Sequence, residues 1–212
     1  ISACLVGSEM CIRDSFSLGM PLAPADWSGL SLAVGLSVAQ SLQPQLPAPG
    51  SQRPRIGLKW PNDLWIDGDR KLGGILIETA SFVGSAAHEP GTPRYVVVGI
   101  GLNVRPRPGD GMRTPPASLL ELDERLDAPT ALACVLPGLV SDIQTFAAQG
   151  FAPLVERFAQ RDLLRGRAVN LSDGESGTAE GVGPDGALLV RTARGLQAIT
   201  SSEISVRPAA VG

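Results

Sequence analysis

Between Leu30 and Leu42 the apolar residues Leu30, Ala33, Val34, Val38 and Leu42 recur at helical spacing, which predicts a helix with one buried face. Asp26, just upstream, is the expected N-cap. A loop with four prolines spans Pro44 to Pro54. Arg55 to Ile66 then reads as one extended run, Asp67-Gly68-Asp69 as a turn and Lys71 to Thr79 as a second run, together a β-hairpin. Tyr95 to Val104 is almost uniformly apolar, the pattern of a central strand. Loops are expected at 81–93 and 105–116.

Asp127 with Pro129 predicts the start of a second helix that stops at Gly150 and kinks at Pro137. Phe151 to Leu164 is expected to be helical again, and Cys134 to be a core residue of the second helix. After Gly166 the period shortens. Alternating runs at Ala168–Leu171, Thr178–Val182, Ala187–Thr192, Leu196–Thr200 and Ile204–Val206, separated by Asp173-Gly174, Asp185-Gly186 and Arg194-Gly195, predict a small barrel. Residues 1–15 carry neither period and join abruptly to Phe16–Met20, so they read as a non-native segment. The expected division is therefore 1–15, 16–165 and 166–212, in a chain that starts at Ile1 and is read as N-terminally truncated.

With 212 residues, the chain is long enough to bury a core without disulfide staples. A net charge of −3 argues against the basic footprint of a nucleic-acid binder. The three cysteines form no paired framework. The best apolar run, Leu30 to Leu42, falls short of the ~20 residues of a membrane span, and no signal-peptide pattern is present. The expectation is a cytoplasmic protein without a membrane or nucleic-acid partner.

Standard catalytic sites do not fit. His88 is the only histidine, which disfavours a Ser-His-Asp triad or a histidine metal site. The Gly99-Ile100-Gly101 run lacks the third glycine of a dinucleotide fingerprint. The basic residues point elsewhere: sixteen of the eighteen are arginine, and the two lysines, Lys59 and Lys71, fall in one hairpin. Lysine is a compact point charge that the planar arginine fork does not replace at a tight site.

Lys59-Trp60-Pro61-Asn62-Asp63-Leu64 crowds a lysine, an aromatic ring, an amide and a carboxylate into an otherwise apolar strand, and Pro61 breaks its ladder. Across the turn, Arg70-Lys71-Leu72-Gly73-Gly74-Ile75-Leu76-Ile77-Glu78 carries two glycines, which mark either a bulge in a polar hairpin tip or a close approach by a ligand. Gly99, Gly101 and Asn103 share one strand face, suited either to a flat ligand or to a helix crossing over the glycines.

Together these three segments resemble the motifs of biotin–protein ligases, and the resemblance runs from about Phe16 to Pro208, including Ser202-Glu203-Ile204-Ser205-Val206-Arg207 as the closing strand. It implies an α+β fold: a mixed or antiparallel sheet with helices, of the class II synthetase-like type, followed by a small SH3-like barrel. It also implies ATP-dependent activation of biotin as biotinyl-5'-AMP, with Mg²⁺, and transfer to a lysine of the biotin carboxyl carrier domain of acetyl-CoA carboxylase. A homodimer is also implied.

By the same resemblance Lys71, Asp63 and Lys59 are the catalytic set, with Asp63 on the Mg²⁺ side. Lys71, Gly73, Gly74, Leu76 and Gly99 would bind biotin, and Lys59, Asn62, Asp63, Arg70 and Asn103 the nucleotide. The family's Gly-Arg-Gly-Arg loop, expected just before Phe16, is not found in residues 1–15, which implies weak or no turnover by this chain. A lipoate-type ligase of the same architecture and a non-catalytic biotin-binding fragment remain the alternatives.

Overall fold

The computed structural model describes residues 2–8, 11–48, 50–81, 91–109, 111–112, 114–171, 174–200 and 207–208. His88 and most of its loop, the turn residue Asp173, and the expected strand at 204–206 lie outside them.

Six strands form one sheet in the order β1-β2-β6-β5-β4-β3. They are β1 (Ser2–Ser8), β2 (Cys11–Leu22), β3 (Ile56–Lys59), β4 (Asp63–Ile66), β5 (Arg70–Ser81) and β6 (Arg94–Leu102). Every neighbouring pair is antiparallel. Among the described residues, parallel character is limited to single bridges, Leu58 with Asp162 and Lys71 with Pro116. As expected, β6 is central, lying between β2 and β5.

Alternation along β6 separates two faces. Val96, Val98, Ile100 and Leu102 are buried, and the residues between them are half-exposed. On the buried side Phe16 and Leu18 of β2 and Ile75 of β5 join the same core. That side is closed by α1 (Leu30–Leu42), which is backed in turn by α2 (Ala128–Gln149). α2 directs Ala131, Val135, Leu139, Ile143 and Phe146 inward, one every three to four residues. Its N-cap is Asp127, whose carboxylate accepts the Thr130 N–H at 2.9 Å, and Gly150 ends it at φ 68°.

A second, five-stranded antiparallel sheet follows, in the order β10-β9-β8-β7-β11. It is built from β7 (Ala168–Asn170), β8 (Ser176–Val182), β9 (Leu188–Thr192), β10 (Gly195–Ile199) and β11 (Arg207–Pro208). The architecture is thus α+β with a small C-terminal β-unit.

Several local expectations are corrected. Residues expected to lack a period form β1 and the start of β2, because ladder pairing fixes them independently of side-chain alternation: β1 pairs with β2, and Asp14 and Ser15 of β2 stand opposite Leu102 and Gly101 of β6. The N-cap of α1 is Gly29 at φ 82°, while Asp26 instead accepts the Ser28 N–H. The single run Arg55–Ile66 folds back on itself as β3 and β4 around Trp60-Pro61-Asn62.

Helix over 151–164 is confined to a 3-10 turn at Ala152–Leu154 and to α3 (Val155–Ala159). Beyond α3 the chain pairs with β3 instead: Leu58 N–H donates to Arg161 O and Leu163 N–H to Leu58 O. Cys134 is exposed, on the outer side of α2. Among the described residues α2, rather than Leu30–Leu42, is by length and composition alone the helix long and apolar enough to cross a bilayer.

Candidate active site

The open face of the first sheet collects the hairpin chemistry. Ladder partners point to the same side, so Lys59, Asp63 and Gly74 (Lys59 opposite Asp63, Asp63 opposite Gly74) share a face with Gly101 and Ser15 beyond them. One step along, Leu76, Gly99 and Ser17 form the next row. The face is a shelf of small residues walled by charged ones.

Lys71 Nζ stands 2.6 Å from Asp63 Oδ1, and both side chains retain access to solvent. A Cβ on Gly74 would lie 3.2 Å from Asp63 Oδ1 and 3.7 Å from Lys71 Nζ, so the glycine keeps the space beside the ion pair open. Lys59 Nζ lies 5.4 Å from the centre of the Trp65 ring, a cation–π contact. Leu76 is 61% exposed, an uncovered apolar side chain on this shelf. Gly99 has room for a methyl group, its nearest neighbour being Leu76 O at 3.5 Å.

Not every expected residue faces this space. Gly73 looks the other way, and a Cβ there would meet Gly101 O at 2.2 Å, so this glycine serves strand packing. Arg70 binds Glu121 and Asp67 at the hairpin end, which raises its pKa, chiefly through the Glu121 hydrogen bond. Asn62 closes the β3–β4 turn onto β5, donating from Nδ2 to Ile75 O at 2.9 Å and accepting the Ile75 N–H on its own carbonyl.

Asn103 departs most from expectation. β6 ends at Leu102, so the residue leaves the strand face and is 1% exposed. Its Nδ2 donates to Lys71 O at 2.9 Å and Ala117 O at 3.0 Å. The segment it grips lies beside Lys71, where Lys71 N–H donates to Pro115 O and Ala117 N–H to Lys71 O. Asn103 Oδ1 is buried with no hydrogen-bond partner among the described residues.

Sequence reasoning missed Ser15, Ser17, Trp65 and the 115–117 segment. The serines were readable, since Ser15, Ser17 and Gly19 alternate with Phe16, Leu18 and Met20. The 115–117 contact joins positions more than forty residues apart, and no local period reports it.

Trp60 is buried, and its Nε1 donates to Gly186 O at 3.1 Å, tying the hairpin to the C-terminal unit. Gly186, at φ 80°, packs so closely that a Cβ would meet Gly29 Cα at 2.6 Å.

The chain and its fold are similar to those of known proteins. Residues 166–207 match the family model described as biotin protein ligase C terminal domain. The bifunctional ligase/repressor BirA of Escherichia coli (strain K12) is 32% identical over 191 residues, which is 88% of this chain and 55% of that protein. The biotin–[acetyl-CoA-carboxylase] ligase of Paracoccus denitrificans is 31% identical over 71% of this chain and 62% of its own length. The chain thus spans a little over half the length of these curated relatives.

Among solved structures, the biotin protein ligase of Aquifex aeolicus in its apo form superposes with TM-score 0.73 at 25% identity, covering 93% of this chain and 83% of that one. The same enzyme in complex with biotin and ATP gives TM-score 0.72 at 24% identity, covering 93% and 79%.

Proposed function

The chain belongs to the biotin protein ligase family, and on that premise we propose that its open sheet face activates biotin with ATP and passes the biotinyl group to a carrier lysine. The observation that carries the reading is the Lys71–Asp63 pair at 2.6 Å beside the space left by Gly74. The Aquifex aeolicus enzyme of the same fold takes biotin and ATP, and the name of the Paracoccus denitrificans relative supplies the acceptor class, the biotin carrier of acetyl-CoA carboxylase.

In the first step a biotin carboxylate oxygen bonds to the α-phosphorus of ATP as the bond to the β-phosphate breaks, releasing pyrophosphate. In the second, the carrier lysine amine attacks the acyl carbon and AMP leaves. Bringing a carboxylate to a polyphosphate costs ~4 kcal/mol per charge pair at 4 Å with an effective dielectric of 20, so a cation must stand between them. Lys71 is that cation in our reading. Asp63 holds its ammonium over the face until substrate oxygens take the contact.

Lys59 serves the phosphate side and Asn62 orders the turn that carries both. Gly74, Leu76 and Gly99 form the shelf for biotin, whose body is apolar between its ureido and carboxylate ends. Asn103 holds the backbone of Lys71 and of the 115–117 segment from a buried position, and so acts by positioning the lysine. Gly73 and Arg70 act by supporting the strand and the hairpin end.

For Mg²⁺ the donors fit an ion that arrives on the nucleotide. No group of three His, Cys, Asp or Glu side chains converges among the described residues, and Asp63 supplies a single carboxylate. That is the set Mg²⁺ uses when phosphates and water complete its shell, where it neutralises phosphate charge.

The test is incubation of the chain with ATP, Mg²⁺, biotin and an isolated biotin carrier domain, followed by mass analysis of the carrier, with lipoate in a parallel reaction. A biotinyl mass increment on the carrier lysine is expected. A lipoyl increment in preference to it would overturn the substrate.

A further inference from the structure

Five of the sixteen arginines line one cleft of about 420 Å³: Arg53, Arg55, Arg161, Arg165 and Arg167. Its walls are the segment entering β3, the Asp67-Gly68 turn, and the connection from α3 to β7. Arg55 immediately precedes β3 and lies four residues from Lys59, so at ~3.3 Å per residue the cleft is about 13 Å from the shelf, at the opposite end of the hairpin.

The nearest compensation is Asp162, whose carboxylate feels the charge of Arg165. Elsewhere arginine pairs with carboxylate: Arg70 with Glu121, Arg125 with Asp123, Arg191 with Glu180 and Arg194 with Glu175. None of the five cleft arginines makes such an ion pair among the described residues. Arg161 is 3% exposed, and its guanidinium donates to neutral acceptors, Ile56 O at 3.1 Å and the Gln43 carbonyl. Burial, with the like charge of Arg55 adding to it, lowers Arg161 to about 10.

Two carboxylates line the cleft; Asp67 is engaged elsewhere, and Asp162 stands near Arg165 with its buried Oδ2 lacking a hydrogen-bond partner among the described residues. Asp67 is taken by Arg70 at 3.0 Å and by the Arg55 backbone N–H at 2.9 Å. Asp162 accepts the Leu164 N–H at 2.8 Å through Oδ1, and burial raises its pKa. A chain with net charge −3 thus gathers five arginines against two carboxylates in one concave place.

We infer that this cleft is a second anion site, separate from the Lys71–Asp63 face, which takes a compact phosphate group between Arg53 and Arg55 on one wall and Arg165 and Arg167 on the other. Guanidinium groups on two walls, of which Arg55 already donates from one Nη to Gln160 O at 2.6 Å, offer more donors than a single carboxylate needs and suit the several acceptor oxygens of phosphate. A long nucleic acid would instead have to track across an acidic protein surface. A phosphate held here bridges the β3–β4 hairpin to the chain that enters the C-terminal sheet, so binding raises the melting temperature.

The test is calorimetric titration of the full chain with inorganic pyrophosphate and, separately, inorganic phosphate. The variants are Arg165→Gln with Arg167→Gln, Arg53→Gln alone and, outside both sites, Arg191→Gln, each checked by thermal melt. Affinity is expected to fall by about tenfold or more in the double variant, to fall less in Arg53→Gln, and to be unchanged in Arg191→Gln. The phosphate and pyrophosphate arms distinguish a single phosphate from a diphosphate as the source. Equal loss of binding in Arg191→Gln, no dependence on the cleft arginines, or no saturable binding of either anion would overturn the site. Tighter arginine-dependent binding of an oligonucleotide or a polyglutamate peptide would overturn the ligand class.

Discussion

Gly74 faces Asp63 across the β4–β5 ladder, and a Cβ on it would stand 3.2 Å from Asp63 Oδ1 and 3.7 Å from Lys71 Nζ. The glycine keeps a space beside an ion pair, where a side chain would intrude. In Gly74→Val the two methyl groups fill that space, so biotin affinity falls by more than about a hundredfold while the melting temperature changes little. Calorimetric titration with biotin checks this, and wild-type affinity in the variant would remove Gly74 from the shelf.

Its neighbour Gly73 predicts the opposite pattern. A Cβ there meets the backbone oxygen of Gly101 at 2.2 Å, and strand backbone cannot move aside cheaply. Gly73→Ala therefore destabilises the fold by about 1–3 kcal/mol, the usual range for overpacking, read as a lower midpoint in urea unfolding.

Asn103 binds two carbonyls through one Nδ2, so its replacements rank by chemistry. Asn103→Ala loses both bonds and costs about 1–3 kcal/mol. Asn103→Asp costs more, because it sets a carboxylate oxygen against Lys71 O and Ala117 O. Equal stability of the two variants would contradict this role.

Asp162 gives a pH signature. Burial raises its folded pKa above the unfolded value, so its contribution favours the fold at low pH and is lost as pH rises through the folded pKa. Asp162→Asn removes that titration. The stability of the wild type relative to the variant should decline from acidic to neutral pH, and parallel stability–pH curves would refute the burial effect.

The sequence was most legible where chemistry and period coincide. Lys59, Asp63 and Lys71 stood out because charge interrupts apolar strands, and the structure brings Lys71 and Asp63 together. Asp127 and Gly150 marked the ends of α2 because caps act within a few residues. What stayed hidden depends on distant partners. Arg55–Ile66 splits in two because its halves pair with each other, and the helix after Phe151 stops early because 161–163 pairs with Leu58. Gly73 and Gly74 looked equivalent as neighbours, yet successive strand residues face opposite sides. Asn103 sat on the expected strand face only if β6 continued one residue past Leu102.

The most direct measurement is mass-spectrometric quantitation of biotinyl-adenylate after mixing the chain with biotin, ATP and Mg²⁺, beside Lys71→Ala and beside lipoate. The expected outcome is slow formation of biotinyl-adenylate by the wild-type chain, none from Lys71→Ala and no lipoyl-adenylate. An equal yield from Lys71→Ala, or preferential formation of lipoyl-adenylate, would contradict the account.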